Sequence, residues 1–256
     1  MKRIIALLLA LVMCISLVGC GKTTCSVEGC ENEAVDDTSF EESYCSKHLA
    51  NKKAFEMSKI AYQSVNLAYD IVHKFGTDLY SAWYLVAHEN KRLMDSNTVK
   101  VLSSEVQYLD EEELQMGLAF VLAKNKYQED WHTLSEEEKN NYIELAGKYE
   151  GDDFFNQTNC LFITTWTVIR AYEVNGKIED ARGYLESAQS HMRELSEKFS
   201  DYEHYPNLKG FFTAVGSYLD VCCDSELSFA QFKDVKNEYE KEARDYINDL
   251  NFIFVE

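Results

Sequence analysis

Phe55, Tyr62, Tyr69, Gly76 and Trp83 recur at every seventh position, and Val65, Val72, Leu79 and Val86 form a second row with the same step. Ala61, Ala68 and Ala82 stand beside them. Seven residues make nearly two turns of α-helix, so both rows share one face only if the backbone is helical throughout. The register carries across Gly76-Thr77-Asp78. It predicts one very long helix, or two collinear ones, from about residue 48 to about residue 94, with Gly76 marking a close backbone approach or a kink.

Helical patterning continues to the end. Pro206 is the single proline, and no strong run alternates as a half-buried strand would. Asp110 with Glu113 and Ser135 with Glu138 have capping-box spacing, so these acidic runs are expected to start helices and not to gather cations. Gly151 is expected to end one helix and Asp152 or Asp153 to open the next, through Phe162, Trp166, Ile169 and Tyr172. Asn175-Gly176 then turns the chain into a stripe of Ile178, Ala181, Leu185, Ala188, Met192, Leu195 and Phe199. Pro206 suits the first turn of a helix carrying Leu208, Phe211, Phe212, Val215 and Leu219. Ser228 caps a last helix with Phe232, Tyr239, Tyr246 and Ile253 on one face.

The first residues have a different character. Lys2 and Arg3 precede an apolar run, Ile4 to Leu17, broken only by Ser16 and shorter than the roughly 20 residues of a membrane span. This predicts a signal peptide over residues 1–19. Leu17-Val18-Gly19-Cys20 resembles the bacterial lipobox, which implies that Cys20 is the lipidated mature N-terminus, residues 20–24 being a short linker. Two acyl chains anchor stably where one is marginal. The expected location is extracytoplasmic, anchored by lipid to the outer face of the cell membrane.

Loss of Lys2 and Arg3 from 25 basic residues leaves 23 against 44 acidic ones, a formal charge of −21. Such a surface repels nucleic acid and anionic headgroups, so the acyl chains and not a basic patch provide the membrane contact. An apolar content of 46% with 13% aromatics is too high for a disordered chain and enough for one large core or two small ones.

With Cys14 in the leader and Cys20 lipidated, Cys25, Cys30, Cys45, Cys160, Cys222 and Cys223 remain. Three of them stand with a histidine as Cys25-x4-Cys30-x14-Cys45-x2-His48. Two short ligand pairs joined by a loop suit a tetrahedral zinc ion, and a closed four-ligand site is structural because no position stays open for water. The loop from Glu31 to Tyr44 is rich in Asp, Glu, Ser and Thr, and cannot build a core without a staple. A Cys25–Cys30 or Cys30–Cys45 disulfide is the alternative that an oxidising compartment permits.

Cys25, Gly29-Cys30 and Ala34, followed by Tyr44-Cys45 and His48, give the pattern Cys-x3-Gly-Cys-x3-Ala and then Cys-x2-His. It resembles the short Cys3His zinc-finger repeats, which implies that Cys25, Cys30, Cys45 and His48 are the ligands. The loop after Ala34 is longer than in that pattern, and the chain has a single copy. In a second resemblance, Tyr172, Gly176, Ala181, Leu185 and Ala188 have tetratricopeptide-repeat offsets, with Arg193 where that repeat has proline. One copy cannot build a solenoid, so a generic helical hairpin is expected.

Catalytic motifs are not evident. His73, His88, His132, His191 and His204 are scattered, and Arg92 stands where a zinc-protease motif starting at His88-Glu89 needs its second histidine. There is no nucleophile elbow, phosphate loop or dinucleotide fingerprint. Cys160 reads as a small buried hydrophobe, and Cys222-Cys223 as one core residue beside an incidental one.

The expected fold class is all-α: an elongated multi-helix bundle with one long N-terminal helix over residues 49–256, preceded by a zinc-stapled module over residues 25–48. The expected function is non-catalytic: the helical domain binds a protein or small molecule, with Trp83, Trp166, Tyr202, Tyr205, Phe211 and Phe212 as candidate contacts. The alternative is a helical enzyme or accessory of envelope remodelling, with carboxylates and tyrosines from different helices converging in a pocket.

Overall fold

The computed structural model describes residues 23–89, 104–148, 157–224 and 227–255. Cys20, the leader and the expected helix boundary at Gly151 to Asp153 lie outside them.

The seven-residue rows become α1, Ser46–Glu89, one unbroken helix of 44 residues, about 66 Å long at 1.5 Å per residue. It begins two residues before the expected start, and residues 90–94 lie outside the described segments. Tyr62, Tyr69 and Trp83 of one row and Val65, Val72, Leu79 and Val86 of the other are buried. Burying each such side chain stabilises the fold by roughly 1.5–3 kcal/mol.

Six further helices follow among the described residues: α2, Glu111–Val121; α3, Glu136–Gly147; α4, Gln157–Val174; α5, Lys177–Lys198; α6, Tyr205–Cys223; and α7, Phe229–Phe254. No strand forms among these residues, and a lone antiparallel bridge joins Thr24 and Glu33. None of the helices is long and apolar enough to cross a membrane.

Caps set most of the starts. Ser135 and Glu138 exchange both bonds of a capping box, and Ser228 does the same with Gln231. At α2 the Asp110 side chain accepts the Glu113 N–H at 2.9 Å, while the Glu113 carboxylate turns away to Arg170 of α4 at 3.2 Å. Gly176, at φ +69°, turns α4 into α5, and Pro206 sits in the first turn of α6.

Helix α1 is the spine, with α4, α5, α6 and α7 packed along it. The stripe Ile178, Ala181, Leu185, Ala188, Met192 and Leu195 of α5 is buried, and α5 packs more broadly on α1 than on its sequence neighbour α4. The tetratricopeptide-like pair is therefore part of the bundle and not a self-contained hairpin. Gly76 marks a close approach: a methyl group there would overlap the phenol of Tyr218 from α6.

A second, smaller core joins α2 and α3 to the outer side of α4, built on Leu118, Phe120, Leu122, Trp131 and Ile143. Helix α4 serves both cores, with Val168, Ala171 and Tyr172 in the large one and Ile163 in the small one. An element apolar on both sides is what burial between two layers requires. Its buried Thr164, Thr165 and Thr167 return their hydroxyls to the carbonyls of Cys160, Leu161 and Ile163, so burial leaves them paired.

Candidate metal centre

The N-terminal module owes its shape to hydrogen bonds and not to a core. Cys25 N–H donates to Asn32 O at 3.0 Å and Ala34 N–H to Thr23 O at 2.8 Å, closing a small hairpin. At its tip Cys30 N–H donates to Val27 O at 3.0 Å, and Gly29 takes φ +77°, a left-handed conformation that glycine adopts without steric cost. Ser26 N–H reaches Ser43 O at 2.8 Å and Val35 N–H reaches Tyr44 O at 2.9 Å, so the returning chain lies against the hairpin. It then enters α1, where Cys45 stands just ahead of the first turn and His48 within it.

This folding brings one donor atom from each of Cys25, Cys30, Cys45 and His48 within 4.8 Å of one another. Cys25 Sγ is 3.2 Å and Cys45 Sγ 3.5 Å from His48 Nδ1, and Cys30 Sγ is 3.9 Å from Cys45 Sγ. A tetrahedron with zinc-to-ligand bonds of about 2.3 Å to sulfur and about 2.0–2.1 Å to nitrogen has edges of roughly 3.8 Å (S···S) and roughly 3.5 Å (S···N). The donor set therefore fits a single tetrahedral cation. A disulfide sulfur pair would stand at about 2.05 Å, and all three thiols are free.

Local electrostatics favour thiolate at one corner. The His48 backbone N–H donates to the Cys45 sulfur and, against the effect of burial, holds its pKa below the usual thiol value. Cys45 thus occupies the anion site of a helix N-terminus. At Cys30 the Asn32 backbone N–H pulls the pKa down, but burial and the sulfurs of Cys25 and Cys45 push it up and prevail. His48 presents Nδ1 to the sulfurs, so as a ligand it would carry its proton on Nε2.

The long loop is tied back to α1. Asp37 accepts from Lys53 at 2.6 Å and from Ser39 N–H at 2.8 Å. Phe40 packs edge-on against Tyr44 at 5.9 Å, and the Lys52 ammonium lies 6.0 Å from the Phe40 ring and 5.5 Å from that of Phe55.

The six aromatic candidates fall in separate places. Trp83 is buried, donates its indole N–H to Thr165 and packs on Phe229 and Phe232. Trp166 belongs to the small core, stacked on Phe120 at 4.4 Å. Phe211 is buried against Tyr62 and Tyr69 of α1, with Tyr202, Tyr205 and Phe212 half-buried around the same core. The step from Tyr69 to Trp83 spans about 21 Å of helix, so Phe211 and Trp83 are not walls of one cleft.

Other chemistry-bearing residues are engaged in packing. Cys160 and Cys222 are buried thiols, Cys222 with its pKa raised by burial, and burial pushes Cys223 to about 11. Two ion networks each extend a pair at i,i+4 spacing within one helix by residues from other elements, which spacing alone does not register. Lys74 bridges Asp78 at 2.8 Å and Glu105 at 3.3 Å, with Tyr172 donating to Asp78 at 2.7 Å. Glu240 of α7 gathers Lys236, Arg244 and His73. In both networks the carboxylates are held by cations, the arrangement of structural ion pairs and not of a free acid–base couple. Comparison with protein-family models, with curated proteins and with solved structures returns no match for this chain.

Proposed function

We propose that this protein is a zinc-stapled lipoprotein, anchored through Cys20 on the outer face of a cell membrane, whose helical body is a binding scaffold and not an enzyme. The observation that carries the zinc assignment is the four-donor cluster, whose spacings match the edges of a tetrahedral Cys3His site. With all four positions filled by protein, the ion has no place for substrate or water and acts structurally.

The anchor reading is supported by the sequence around Cys20 and by the position of the module. Four residues separate Cys20 from the first ligand, so the metal module would sit close to the bilayer, with α1 leading away from it. The binding reading is supported by the paired state of the buried ionisable groups and by open cavities on the α2–α3 layer.

Metal analysis of the purified protein is expected to give one zinc per chain, falling to near zero in Cys30→Ser with Cys45→Ser. A zinc-free protein with oxidised Cys25, Cys30 or Cys45 would overturn the staple. Cys20→Ser is expected to move the protein from the membrane to the soluble fraction, and unchanged retention would overturn the anchor.

A further inference from the structure

Two cavities, of 370 and 410 Å³, open on the α2–α3 layer, and Glu129 lines both. The first is walled by Tyr127, Tyr142 and Leu145, with the two phenol rings 5.6 Å apart and inclined at 56°. The second is walled by Phe120 and Trp131, edge to face at 6.2 Å, and also by Lys124, Asp130 and His132. Glu129 accepts the Tyr142 hydroxyl at 3.0 Å and, among the described residues, has no lysine or arginine paired with it. Glu138 also lines the first cavity but is occupied as the capping partner of Ser135.

Aromatic faces attract cations through the ring quadrupole, and the chain already uses these walls in that way. Lys126 Nζ lies 5.9 Å from the Tyr127 ring, and Lys124 Nζ lies 5.5 Å from the Phe120 ring. A larger depression of 520 Å³ beside Gln115 and Asn140 lacks an aromatic wall.

We propose that the first cavity binds an organic ammonium ion, with Glu129 opposing its charge and the rings of Tyr127 and Tyr142 receiving its alkyl groups. The volumes suit a small ligand, since such sites start at about 300 Å³. An anion in the first cavity would meet Glu129 and Glu138, with no lysine, arginine or histidine among the residues that line it. The inference names a ligand class for the binding scaffold proposed above and rests on that reading, but it is independent of the zinc and the anchor.

The test is choline titrated into the purified, metal-loaded protein at constant ionic strength, followed by NMR. Saturable shifts are expected, with transfer from the choline methyls to the Tyr127 and Tyr142 ring protons. Glu129→Gln should weaken binding about tenfold, the scale of one lost charge contact. Tyr142→Phe keeps the ring and should change affinity by less than about threefold. All three residues are on the surface layer, and an unchanged helical spectrum confirms that each variant is folded. Absence of saturable binding, or binding indifferent to Glu129→Gln, overturns the proposal. Phosphatidylcholine vesicles separate the sources of the cation: binding lost in Glu129→Gln assigns it to lipid headgroups, and choline binding without vesicle binding to a soluble ammonium. If choline fails while a protein partner is captured on the helical body, this inference falls and the scaffold reading stands.

Discussion

Gly76 shows what one residue contributes to the position of a helix. It stands in an apolar row where a large side chain would be expected, and the phenol of Tyr218 fills the place its side chain would take. Gly76→Ala is expected to destabilise the protein by about 2 kcal/mol, because overpacking forces α6 away from α1 and outweighs the gain in helix propensity. The urea midpoint reports it, and an unchanged or raised midpoint would contradict the contact. The row made a close approach legible at Gly76, but Tyr218 was not, since nothing local to either residue records their pairing. Asp37 gives a second case. Lys53, with Ser39, holds its carboxyl at about 2, below the unfolded value of about 3.9. The stabilisation is therefore present above about pH 4 and is lost as pH falls through the folded value near 2. An NMR titration of Asp37 is expected to show this low midpoint, and Lys53→Met to return it toward the ordinary carboxylate range.

At the scale of elements, α1 is continuous while its two ends rest on different forces. From Ala54 onward its apolar rows are buried in the large core. Before that, Cys45 and His48 tie it to the Cys3His cluster, and no acidic residue in its first turn offsets the helix dipole. Chelation of the metal is therefore expected to release residues 25–45 and the first two turns, leaving the rest of α1 intact. Hydrogen exchange should show protection lost at Leu49 to Lys53 and retained at Val65 to Val86. Equal loss along the whole helix would mean that the metal stabilises the entire fold. Helix starts were legible because caps are local: Ser135 and Ser228 act where expected. Asp110 was legible only by half, because Arg170 from another helix claims Glu113. The four candidate metal donors were legible for the same reason as the caps, since all lie within one short stretch of chain.

At the scale of the molecule, the helices share their cores unequally, and periodicity cannot register this. A helix buried on two sides has no polar face to mark its partners, so Trp166 of α4 reads the same whether it serves the large core or the small one. The structure puts it against Phe120 at 4.4 Å and Trp131 at 6.2 Å, in the small core. Trp166→Ala removes that stack and leaves a cavity, at a cost of about 3–5 kcal/mol where a site cannot collapse. The loss should fall on the α2–α3 layer, because the large core keeps Val168, Ala171 and Tyr172 on the other side of α4. Exchange of the α2 and α3 amides is then expected to accelerate while that of α1 and α5 stays near wild type, the behaviour of a separate cooperative unit. Choline binding should weaken in the same variant, since Tyr142 is carried by α3, whose packing the loss disturbs. If α1 and α5 lose protection in step with α2 and α3, the two cores unfold as one, and the cavity would be as rigid as the bundle that carries it.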